Sequence, residues 1–90
     1  MNGEKSAPYV RLYGELNDNL AWLQEGLAAT VEHVEGQGDT VPWDLLKDAQ
    51  EAVKKASVLV SQMQAPEAVT ALIRAAYRLG HVQSRVFQSF

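Results

Sequence analysis

Ninety residues with 47% hydrophobic and 21% charged side chains have an ordinary globular composition, which excludes a disordered chain. There is no cysteine, so disulfides, thiolate metal centres and cysteine nucleophiles are excluded as well. A net charge of −3 argues against a general nucleic-acid binder, though not against a local basic face. One domain with a small core is expected at this length, and oligomerisation is a common remedy for so thin a margin.

The opening, MNGEKSAP, has no apolar run of the signal-peptide kind. No stretch approaches the roughly 20 apolar residues of a membrane span. A soluble, cytoplasmic protein with no membrane contact is the expectation. Ser6 and Pro8 read as the cap and first turn of a helix. Apolar residues then recur in steps of three and four at Tyr9, Leu12, Tyr13, Leu16, Leu20, Leu23, Leu27, Val31 and Val34, the pattern of a helix with one buried face. The run GQGDTVP at 36–42 ends it.

A second helix is expected with Leu45, Leu46, Ala49, Ala52, Val53, Ala56, Leu59, Val60 and Met63 inward. Asp39 or Thr40 is expected to cap it, and Asp44 suits its positive end. Trp43, beside Pro42 and Val41, is expected to staple the loop to the core. After the short joint QAP, a third helix is expected to bury Val69, Leu72, Ile73, Ala76, Leu79, Gly80, Val86, Phe87 and Phe90. Gly80 is expected to let the slim Ala49, Ala52 and Ala56 face approach closely. The fold class is therefore all-α: a three-helix up-down bundle built on an antiparallel hairpin, dimeric, with helices near 8–35, 42–63 and 66–88.

Two surfaces stand outside that core. Arg74, Arg78, His81 and Arg85 form a basic stripe in steps of four, three and four. Read as a phosphate grip it implies a nucleic-acid-binding regulator, the alternative function. No aromatic residue is interleaved for base stacking, and the joint before it is too abrupt for a helix-turn-helix. The favoured reading is that the stripe offsets the acidic first helix. Trp22 projects away from Leu20 and Leu23, among Asp18 and Glu25, with Glu15 on the same flank. Tryptophan is enriched at interaction hot spots, and Val58 and Val82 also fall off their apolar arcs, which points to self-association or a partner surface. Gln83, on the third apolar arc, reads as a buried network member or a residue near a dimer edge.

Catalytic patterns are missing. His33 and His81 lack metal-ligand spacing, and no phosphate loop, GxSxG elbow or HExxH is present. No catalytic residue, cofactor or metal is expected. The architecture is similar to that of helical chorismate mutases, whose pockets need several arginines of a long first helix, a lysine after it and an Arg-Glu pair in the next. Here the first segment has only Arg11, and the second has Lys54 and Lys55 without such a pair, so that activity is not implied. The stretch LLKDAQEAVKKASVLVSQM, followed by ALIRAAYRLGHVQSRVFQ, resembles the helical hairpins of small proteins of bacteria and their phages. The resemblance covers about half the chain and implies a bacterial or phage origin without an activity. The expected function is a non-enzymatic regulator or inhibitor that docks on another protein and forms a homodimer. Its contacts are Trp22 with Glu15, Asp18 and Glu25, or the stripe Arg74, Arg78 and Arg85.

Overall fold

The computed structural model describes residues 2–36 and 42–87, with side chains from residue 11 onward. It contains three helices, α1 (Asn2–Val34), α2 (Trp43–Ser61) and α3 (Ala65–Val86), and no strand among the described residues. They pack as a three-helix bundle measuring 58 × 20 × 16 Å, in which α3 packs most extensively against α2. The longest element is α1, whose 33 residues span about 50 Å at 1.5 Å per residue.

The helices are longer or shorter than their punctuation suggests. α1 starts at Asn2 and runs through Pro8, rather than beginning at a Ser6 cap. The N-cap of α2 is Pro42, with no side-chain cap hydrogen bond; Asp39 and Thr40, the expected caps, lie outside the described residues. Asp44 is in the first turn of α2 as expected. α2 ends at Ser61, two residues early. Met63 then adopts a left-handed φ of 57°. Its N–H donates to the Val60 carbonyl at 3.0 Å, and the Gln64 N–H donates to the Leu59 carbonyl at 3.2 Å. These two bonds make a Schellman motif, in which glycine usually occupies the left-handed position. Met63 is consequently 64% exposed, not inward. The Tyr13 hydroxyl donates to the Met63 carbonyl and ties α1 to the α2–α3 turn.

Core positions repeat in alternating steps of three and four, with one step of seven on α1 across the half-buried Leu27. They are Leu16, Leu20, Leu23, Thr30 and Val34 on α1, and Leu46, Ala49, Val53, Ala56 and Val60 on α2. On α3 they are Ala68, Leu72, Ala75, Leu79 and Val82, with Ala71 beside them. This is the a/d seam of coiled-coil packing. The first two rows match the sequence expectation closely. The α3 row matches only in part: Leu72 and Leu79 are buried as expected, but Val69, Ile73, Ala76 and Gly80 are exposed, while Ala68, Ala75 and Val82 are buried. The physical reason is the seam with α2. Ala49, Ala56, Ala68 and Ala75 have no accessible surface. Small side chains let two helices approach closely, so the alanine row of α3 turns inward and the bulkier row is rotated out. Gly80 has nothing within 4 Å of where a Cβ would stand, so it is not the point of close approach. That point is Gly26 on α1, where a Cβ would lie 3.3 Å from Leu79 Cδ2. The expected off-arc position of Val82 is likewise overturned, since it is 1% exposed. Trp43, expected against the core, is 51% exposed.

Candidate functional site

The rotation of α3 sets up the most distinctive surface of the molecule. Its outward row presents Val69, Ile73 and Ala76, and Tyr77 follows Ile73 one turn on. α1 lies alongside and brings Leu12, Asn19 and Trp22 to the same face. Between them runs a groove of about 370 Å³, floored by Leu16, Leu23 and Leu72. Trp22 is 73% exposed, Ile73 66% and Tyr77 77%, so three large apolar side chains face water on one side of a small bundle. A second groove of about 280 Å³ continues from it past Trp22, Gly26, Leu79 and Gln83.

Charge borders this face on the α1 side. Glu15 lines the main groove and Glu25 the smaller one. Asp18, one turn before Trp22, is exposed. Trp22 borders both grooves, with Glu15 on one and Glu25 on the other. The floor is held in place by a polar network at its far end. The Gln83 amide Nε2 donates to Thr30 Oγ1 at 3.2 Å, and the Thr30 hydroxyl donates to the Gly26 carbonyl at 2.8 Å. Thr30 is 1% exposed and is a buried polar residue of the core. A buried hydroxyl needs such partners, and the pair fixes the register of α1 against α3. Gln83 is legible as a network member because it interrupts an apolar arc. Thr30 gives no comparable signal, although it sits seven residues after Leu23 and four before Val34 in the α1 repeat. Beyond the network, His33 packs on Phe87 with ring centroids 4.3 Å apart.

The basic stripe lies elsewhere. Arg74 lines a separate groove of about 430 Å³ between α2 and α3, together with Lys55, Glu67, Leu59 and Ala71. Arg78 Nη1 is 3.7 Å from Asp48 Oδ2 on α2. Arg85 is exposed near the end of α3. Of the stripe, Arg78 therefore meets acid on α2, and Arg74 lies in a groove that Trp22 does not line. A surface pair of this kind contributes about 0–1 kcal/mol.

Among the described residues no group of three His, Asp or Glu side chains is placed to hold a metal ion. No helix of the described residues is long and apolar enough to cross a membrane. No protein-family model matches the chain, and neither a curated protein nor a solved structure is significantly similar to it.

Proposed function

We propose that this chain is a non-enzymatic protein–protein interaction module, a small helical regulator or inhibitor that docks on another protein through the α1–α3 face. The observation that carries the reading is the exposure of Trp22 and Ile73 along one groove, with Tyr77 exposed one turn beyond Ile73 on α3. Leaving a large apolar side chain in water forgoes about 1.5–3 kcal/mol of burial free energy each. Contiguous exposed apolar surface rimmed by polar groups is typical of binding faces. The acidic flank of Glu15, Asp18 and Glu25 would orient a partner and speed its approach more than it would strengthen the complex. The main groove is lined mainly by aliphatic side chains, which suits helix-in-groove docking better than chemistry on a small molecule.

The same reading takes the bundle as up-down-up, with α2 and α3 an antiparallel hairpin. Three observations support that direction. The link between Ser61 and Ala65 is short. Leu59, late in α2, shares a groove with Pro66, early in α3. Asp48, early in α2, meets Arg78, late in α3. The rival function, nucleic-acid binding by the stripe, is disfavoured by the engagement of Arg78 with Asp48.

Affinity capture from host lysate tests the reading. Wild-type protein is expected to retain a protein partner, and Trp22→Ala or Ile73→Ala to lose it with the helical circular dichroism intact. Salt-sensitive DNA or RNA binding would overturn the reading if no protein is captured and Arg78→Ala with Arg85→Ala lowers the salt slope by about one unit for each arginine removed.

A further inference from the structure

We propose that the α1–α3 face receives one amphipathic helix of a partner protein, apolar along the stripe that enters the groove and cationic along the flank that meets α1. The proposal rests on the reading of this face as a docking surface and names the chemistry of its occupant.

Trp22 and Leu23 line both grooves of the face, so the two make one trough. Its α1 wall runs from Leu12 to Gly26 and its α3 wall from Val69 to Gln83. Each wall advances by about 14 residues, or about 21 Å at 1.5 Å per residue. The walls run in the same direction: Gly26 faces Leu79, and Thr30, one turn on, bonds Gln83. A long apolar trough between two parallel helices is where a further helix packs in a bundle. A helix of about four turns fills it with apolar residues at i, i+3 or i+4, i+7 and onward.

Charge selects the occupant. The charged residues that line the trough are Glu15 and Glu25, both on the α1 wall. Asp18 stands exposed between them on the same helix. The α3 wall contributes Val69, Leu72, Ile73, Ala76, Leu79 and Gln83, none of them charged. The arginines nearest in sequence are placed elsewhere. Arg74 lines the α2–α3 groove, Arg78 pairs with Asp48, and Arg11 precedes the stretch of α1 that lines the trough. Among the described residues, Glu15, Asp18 and Glu25 have no ion-pair partner. A partner helix with an acidic flank would set like charges side by side at the edge of the interface. A flank of Lys or Arg at matching spacing opposes all three carboxylates, while the flank against α3 stays uncharged.

A display library of helical peptides of about 18 residues, long enough to span the trough, tests this on the intact 9.9 kDa chain. The apolar stripe varies among Leu, Ile, Val, Phe and Met, and each flank among Lys, Glu and Gln. Selected peptides are expected to carry Lys on one flank only. Affinity is read from the blue shift of Trp22 in Trp43→Phe protein at about 1 μM, below the range of weak self-association through the same face. A dissociation constant on the order of 10 μM is expected, at least about tenfold weaker when Glu replaces the Lys of that flank. Glu15→Lys combined with Asp18→Lys, both at exposed positions, should invert the preference, with circular dichroism checking that the variant is folded. Selected peptides with uncharged or acidic flanks, a Lys preference that the folded double variant keeps, or no peptide bound at about 1 mM would each overturn the proposal. If one of these results accompanies lysate capture that Trp22→Ala abolishes, the docking reading stands and only the chemistry of the partner is wrong. If no protein is captured either, the docking reading falls with it.

Discussion

The two interfaces of α3 are built from opposite materials. Toward α2 it presents alanine: Ala68 and Ala75 are fully buried, as are Ala49 and Ala56 across the seam. Toward α1 and solvent it presents Val69, Ile73 and Tyr77, which are 39%, 66% and 77% exposed. Ile73 and Tyr77 are outside while Ala68 and Ala75 are inside, beside the buried Leu72 and Leu79. Size therefore does not rank burial here; the closeness of the neighbouring backbone does. A seam of alanines commits α3 to one orientation, and the residues displaced by that choice make the open face.

The difference is tested most severely by paired substitutions on its two sides. Leu79→Ala, at a site 4% exposed, is expected to destabilise the bundle by about 2–5 kcal/mol. Ile73→Ala on the open face is expected to change stability by no more than about 0.5 kcal/mol. Urea unfolding of dilute protein measures both, and equal losses would erase the distinction. Next in size, Ala75→Leu should cost about 1–3 kcal/mol through overpacking. Its neighbour Ala76→Leu, which points outward, should be within about 0.5 kcal/mol of wild type. A tolerated Ala75→Leu would mean that the seam is not close-packed.

A smaller effect separates two glycines. Gly80→Ala meets nothing within 4 Å and should stabilise the protein by about 0.8–1.0 kcal/mol, the helix-propensity difference. Gly26→Ala has the same propensity gain, but its Cβ would stand 3.3 Å from Leu79 Cδ2. Its thermal midpoint should therefore fall short of that of Gly80→Ala. The smallest expected effect is that of Arg78→Ala, which removes only the exposed pair with Asp48. A change within about 0.5 kcal/mol in chemical denaturation is expected, and a much larger one would show that the stripe supports the fold.

These contrasts explain what is legible in the sequence. On α1 the repeat of leucines names the buried face because large residues are the ones inside. The same rule misleads on α3. Periodicity alone admits two arcs there, one through Ala68, Ala75 and Val82 and one through Val69, Ile73 and Gly80. Choosing between them requires knowing that α2 brings its own alanines to the contact, which is a property of two helices and not of one. Trp22 is legible as exposed because its α1 neighbours fix the inward direction firmly. The groove it borders is not, since its other wall is the row of α3 that periodicity assigns to the core. The stop of α2 is hidden for a different reason. Its left-handed position is held by Met63, where a glycine would have announced the turn.

The central claim is that the open face is a surface made to be covered, and the fluorescence of Trp22 reports on it most directly. The chain has two tryptophans, so Trp43→Phe leaves Trp22 as the sole reporter. At 73% exposure its emission in dilute solution should be that of an indole in water. Raising the protein concentration from about 1 μM to about 1 mM, the span of ordinary weak association, should move the emission to the blue as the face is covered. The shift should follow the dimer fraction and be absent when Ile73→Asp is added. Emission that stays at its water-exposed position across the whole range would contradict the account.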